Sequence, residues 1–260
     1  MKYSITLFSL MLPTLCLGEP PINDPCDNFL SVLNRPTVAD SVCVVKPGKV
    51  IIELGTQYQD LYPGNNHGIN FPDSQFRFGL PGSNEFTLLP PNYIRYNGEI
   101  SGYTATVLGL KHQFPNENNL NYTVEGIFTL PTGDRNFGSD GLGVALNGIV
   151  NYGFTAAFSV AMMVGITSET TSSNAGGDRF TSFNPDLVFS WQVNDNLQIY
   201  AETYGETKTA PHAGSGFNAD AGIQYLPSPN IELDIEYGQR LSGELGGFAH
   251  YLGAGGGIRF

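Results

Sequence analysis

Basic residues are scarce in this chain. Lys and Arg total 12 against 24 Asp and Glu in 260 residues. Nucleic acid demands a basic footprint, so it is excluded as a partner. No run of 18 apolar residues occurs, so no helix is expected to span a bilayer. No linker of biased composition divides the chain, and one domain is the economical reading. His67, His212 and His250 fall in or beside three separate expected loops, a spacing that gives no support to a metal centre. The glycine-rich stretch Gly253-Ala254-Gly255-Gly256-Gly257 is not followed by a helix, so it is no phosphate cradle. No metal and no cofactor are expected.

Cysteine is nearly absent too: Cys16, Cys26 and Cys43. The first belongs to a leader. Lys2, a mostly apolar stretch over 5–17 and small residues at Cys16-Leu17-Gly18 read as a signal peptide, residues 1–18, removed after Gly18. Acylation of Cys16 is the alternative; the large Leu15 before it weighs against that. Cys26 and Cys43 then read most simply as a disulfide, whose short loop is worth on the order of 3 kcal/mol by chain entropy. Reduced thiols are the alternative, which an oxidising periplasm disfavours. Asp27-Asn28 offers a cap for a short helix through Leu33, ended by Pro36. Residues 19–48 are expected to form a small stapled periplasmic segment ahead of the main domain, with entry into the lumen as a plug left open by the sequence.

What the chain has is a period of two. The last stretch, residues 249–260, shows it best. Leu252, Ala254, Gly256, Ile258 and Phe260 share one non-polar face, and Tyr251, Gly253, Gly255, Gly257 and Arg259 share a roomy one. Ile231, Leu233, Ile235 and Tyr237 alternate likewise with Glu232, Asp234, Glu236 and Gly238. Twelve strands are expected, at 49–59, 73–80, 85–91, 104–113, 120–130, 142–150, 154–165, 181–192, 196–205, 216–226, 231–240 and 249–260. The seventh is apolar at nearly every position and reads equally as a buried strand or a helix. Connections alternate between short turns such as Pro81-Gly82-Ser83-Asn84 and longer loops such as 60–72 and 92–103. That sorting, with an even strand count, fits a membrane β-barrel with short periplasmic turns and long outer loops. The fold class expected is all-β: a single 12-stranded antiparallel transmembrane barrel over 49–260.

Several pieces carry a resemblance. They are Phe76-Arg77-Phe78-Gly79-Leu80 before Glu85-Phe86, then Gly109-Leu110-Lys111 leading to Leu130-Pro131-Thr132-Gly133-Asp134. Tyr200-Ala201-Glu202-Thr203-Tyr204-Gly205 and Asp220-Ala221-Gly222-Ile223-Gln224-Tyr225 follow, then Asn230-Ile231-Glu232-Leu233-Asp234 and the glycine-rich end at Phe260. In this order, over roughly residues 50–260, they resemble the bacterial outer-membrane β-barrel family of the meta-pathway of phenol degradation. The resemblance implies an outer-membrane location in a Gram-negative bacterium and passage of a small solute, hydrophobic or aromatic. It covers nothing of the Cys26–Cys43 unit. The terminal Phe260, with Ile258, resembles the signal read by the outer-membrane barrel assembly machinery. Outer-membrane lipid and that machinery are the partners expected.

Parity assigns a polar inner wall: Glu53, Gln57, Gln59, Arg77, Glu85, Lys111, Glu125, Tyr200, Glu202, Asp220, Gln224, Glu232, Asp234, Glu236, Arg240 and Arg259. Arg259 is expected nearest Glu232. Two readings of that wall stand open. In one, acids and bases pair and fill a narrow lumen; in the other, an acidic conduit favours cations or neutral solutes. Small barrels fill with side chains and large ones leave a channel, and twelve strands lie between. His112 falls on the lipid-facing parity with no matching Ser beside it, so lipid hydrolysis is not expected. The function expected is a channel or transporter. The alternative is a surface protein whose outer loops bind a host or envelope partner.

Overall fold

The computed structural model describes residues 25–64, 66–97, 100–115 and 119–260. The expected signal peptide lies outside them. Fourteen strands are present among the described residues. Those of the wall are β1 (Val50–Leu61), β2 (His67–Leu80), β3 (Asn84–Leu89), β6 (Val107–Gln113), β7 (Leu120–Thr129), β8 (Gly143–Gly153), β9 (Phe158–Thr170), β10 (Arg179–Asn194), β11 (Leu197–Glu206), β12 (Gly216–Ser228), β13 (Ile231–Ser242) and β14 (Phe248–Arg259). Each pairs antiparallel with its neighbours, and β1 pairs with both β2 and β14. The twelve therefore close into a barrel with no free edge, the form that satisfies every strand N–H and C=O inside a bilayer. A short hairpin, β4 (Tyr93–Tyr96) and β5 (Ile100–Tyr103), extends the outer end of β2.

The two faces differ as alternation demands. On β13, Ile231, Leu233, Ile235 and Tyr237 are exposed outward, while Glu232, Asp234 and Glu236 are buried inward. Leu54, Leu110, Leu146, Ile166, Phe189 and Leu252 continue the outward apolar band on other strands. The glycines Gly257, Gly255 and Gly253 of β14 stand opposite Glu232, Asp234 and Glu236, as parity required.

Several boundaries differ from expectation. β2 starts at His67, not at 73, because the strand runs through Pro72 where the β1–β2 register shifts. An irregular ladder is where a residue without an N–H is tolerated. The outer loops 62–66 and 243–247 are thus only five residues long. The β8–β9 turn falls at 154–157, not 151–153: Thr155 Oγ1 accepts the N–H groups of Ala157 and Phe158 and fixes the turn there.

The larger correction concerns the stapled segment. It does not stand ahead of the barrel. Its described part is 25–48, and most of 26–45 lies inside the wall, while Asp27 and 46–48 are exposed. Asn28 caps the four-residue helix α1 (Phe29–Val32) by accepting from Leu30 N, and the disulfide Cys26–Cys43 is present. Phe29, Leu30, Val32, Leu33, Val42 and Val45 are buried in one cluster with Ile51, Ile149 and Leu226 of the wall. A unit this small cannot shelter such side chains by itself. Each is worth roughly 1.5–3 kcal/mol when buried, and the barrel wall supplies the cover.

Candidate functional site: a lumen filled by an inner segment

Past α1 the inner segment has no regular structure. Its backbone donors and acceptors therefore need side-chain partners. The wall provides them from nearly all sides. Glu53 Oε2 accepts from Asn34 N and Arg35 N at 3.0 and 2.7 Å. Glu202 accepts from Val38 N and Ala39 N at 2.9 and 2.8 Å, and Glu85 from Val45 N at 2.7 Å. Donors answer the carbonyls. Arg77 reaches Val32 O and Cys43 O, Lys111 reaches Ser41 O, Thr123 reaches Val42 O, and Gln224 reaches Arg35 O.

Arg77 is the centre of this arrangement. It is fully buried, ion-paired to Glu53 at 3.0 Å and to Glu85 at 2.7 Å. Three charges fixed by one another leave each carboxylate with an oxygen aimed at the segment. Arg35 is the segment's own cation. It donates to Asp234 at 3.0 and 3.3 Å and to Asp73 at 3.1 Å, with Glu236 at 3.6 Å. Burial disfavours its charge, but the carboxylates of Asp234, Asp73 and Glu236 more than offset this and hold the guanidinium protonated beyond its ordinary range. It fits there because Gly55 and Gly255 carry no side chain: a Cβ on either would lie within 2.5 Å of the guanidinium group.

The remaining wall residues divide by height. Glu232 is buried opposite Gly257. Lys111 lies 3.9 Å from Glu125, which accepts from Asn147. Nearer the outer side, Tyr251 Oη donates to Asp220 at 2.9 Å and approaches Glu236 at 3.4 Å, and Tyr200 is buried on the same wall. Arg240 keeps its inner parity opposite Asn218, while Arg259 departs from expectation. Arg240 stacks over Tyr62 and donates to Gly243 O at the outer rim. Arg259 bonds Asn230 and Pro229 O in the turn and stacks over Phe29, so it does not answer Glu232. Most of the wall thus faces the lumen as parity had it, but there it meets the chain's own residues. Sequence reasoning passed over Asp73, Asp186 and the inward apolar residues Ile149 and Met163. The last two carried a signal, being apolar where a water-filled lumen wants polarity.

His112 accounts for itself structurally: Nδ1 contacts Asn84 Oδ1 at 2.9 Å and the ring packs edge-on to Phe114. His67 and His250 do meet, each on one carboxylate oxygen of Asp60 at the outer rim of the lipid-facing side.

The sequence pattern of the family described as "Putative MetA-pathway of phenol degradation" matches residues 34–260. The chain belongs to that family. No curated protein matches it. Among solved structures, this family member is similar to the COG4313 outer membrane channel from Pseudomonas putida F1, at 13% identity and a TM-score of 0.69, over 86% of this chain and 100% of that one. KdgM porin follows at 9% and 0.56, over 81% and 99%, and NanC porin at 11% and 0.55, over 80% and 98%. At these identities the likeness is one of fold: a porin-type outer-membrane β-barrel. It supports an outer-membrane location for this family member, and the neighbours are channels and porins rather than enzymes.

Proposed function

We propose that the protein is an outer-membrane channel for a small solute, held closed in this state by its own residues 26–48. The observation that carries this reading is a closed twelve-stranded wall around a segment bound to it only by hydrogen bonds, ion pairs and apolar contact. Water can replace each of these when the segment leaves. The wall it leaves behind is acidic, which favours neutral or cationic solutes over anions. The family's description names phenol degradation, so a small aromatic belongs among the solutes to try. We further infer that residues 1–18 are a cleaved signal peptide of a Gram-negative cell. The exposed apolar band meets outer-membrane lipid, and Phe260 and Ile258, exposed at the β1–β14 seam, are what the barrel assembly machinery reads.

The test is swelling of liposomes that carry either the full mature chain or a variant lacking 26–47, each shown to be folded by its heat-dependent gel shift. Rapid solute entry through the variant and slow entry through the full chain are expected. Entry through neither would favour the second reading, a surface protein acting through its loops. The observation on that side is the filled lumen itself.

A further inference from the structure

We propose that the outer half of the lumen carries a preformed binding site for a small uncharged polyhydroxyl solute of monosaccharide size. The proposal deepens the channel reading and rests on it for the route by which solute arrives. The site is a cavity of about 560 Å³ between the inner faces of β3, β6, β7, β9 and β10 and the loops that follow β7 and β9. That volume falls among small-molecule pockets, about 300–1,000 Å³. No described residue of the inner segment lines it, so it stays in place whether the segment is in or out.

The roof is built, not draped. The Pro131-Thr132-Gly133-Asp134 turn, left without a role by the lumen chemistry, clamps the loop after β7. Thr132 Oγ1 accepts from Thr106 N at 2.9 Å, and Asp134 accepts from Tyr103 N while its own N–H donates to Tyr103 O. Gly133 has φ +89°, and a Cβ there would lie 2.5 Å from Thr104 O. The second loop is tied to the first through Asp140 N to Thr171 O and Asn174 N to Arg135 O. A roof so fixed costs little further ordering when solute binds.

The lining mixes polar groups with the apolar Leu89, Pro90, Ala105 and Val107. Thr129 and Ser172 present hydroxyls, and Asn136 an amide whose oxygen already accepts from Asn174 Nδ2. Such groups both donate and accept, as the hydroxyls of a polyol do. A hydrocarbon ring would bury the Thr129 and Ser172 hydroxyls without partners, at a cost of roughly 1–3 kcal/mol each. Phe137 and Phe180 offer apolar faces to ring carbons, and Phe137 is held edge-on by Tyr96. Glu169 is the one ionisable residue of the lining, and no Lys or Arg joins it. Nearby Arg179 is exposed and committed to Leu142 O and Ser168 O. A carboxylate or phosphate would meet Glu169 with no counter-charge.

The experiment is saturation-transfer NMR on the full mature chain in detergent, with glucose, gluconate and phenol as probes. Each signal is read as its difference from the Ser172→Trp variant in the same detergent, which removes partition into the micelle. The glucose difference should exceed those of gluconate and phenol at least fivefold. Thr129→Trp, on β7 two strands away from β9, should abolish it while keeping the heat-dependent gel shift. If Thr129→Trp does not fold, the Ser172→Trp difference alone decides. No glucose difference, or an equal one for gluconate or phenol, overturns the proposal. Failure of the channel reading is a separate result: glucose binding without solute entry removes the channel and keeps the site, and entry without glucose binding does the reverse.

Discussion

Glu202 accepts from two successive amides of the inner segment, and that choice has a measurable consequence. A hydrogen bond contributes about 0.5–1.5 kcal/mol net. Glu202→Ala removes two such bonds, at Val38 and Ala39. Amide exchange over residues 37–40 should accelerate roughly tenfold, since about 1.4 kcal/mol is a factor of ten. Unchanged exchange would show that the carboxylate does not hold the segment. Gly255→Ala makes a second case. Its Cβ would lie 2.5 Å from Arg35 Nε and from Leu54 O, so Arg35 must leave Asp234. Exchange at Asn34 and Arg35 should rise in this variant while the lower wall stays protected; native-like protection at Arg35 would contradict the fit described. At this scale the sequence was informative about direction and silent about partner. Parity turns Glu53, Arg77, Glu85 and Asp234 inward, because a strand has only two faces. It cannot show that Glu53, Arg77 and Glu85 meet backbone atoms of residues 32–45, or that Asp234 meets the side chain of Arg35, since a peptide N–H has no sequence signature.

Strands were legible wherever lipid faced one side and polar groups the other. β13 is the clearest, and its outward residues set a prediction. Ile235→Lys puts a charge on the lipid face nearer mid-strand, at a cost of about 2–4 kcal/mol near the midplane. Urea unfolding of the barrel refolded in vesicles should show that loss, while Glu232→Gln, on the inner face, should not show a loss of that origin. Equal losses would mean that the faces are misassigned. Strands were harder to read where the inner face is apolar as well. The stretch 154–164 reads ambiguously because Ala161 and Met163 of β9 pack on buried residues of the inner segment and the wall around it. The ambiguity was itself the mark of a filled lumen. β2 was cut short by Pro72, and β4 and β5 are too short to show a period.

At the scale of the whole molecule, the barrel and the inner segment complete each other. The segment has apolar side chains and irregular backbone that water would not tolerate together; the wall has an apolar patch and an excess of buried acids that need cover and donors. The disulfide limits how far the segment can open once it loosens. Replacing both Cys26 and Cys43 by Ser removes a chain-entropy constraint on the order of 3 kcal/mol. It should raise the protease sensitivity of residues 26–48 in folded barrels, and leave the strands resistant. Equal resistance in both forms would mean that wall contacts alone fix the segment. The most direct measurement of closure is single-channel conductance in a planar bilayer. The full mature chain is compared with the variant lacking 26–47, both shown to be folded. Silence or rare brief openings from the full chain, and steady cation-preferring steps from the variant, are the predicted result. Steady steps of the same size from both would contradict the account, because the segment would then not close the lumen.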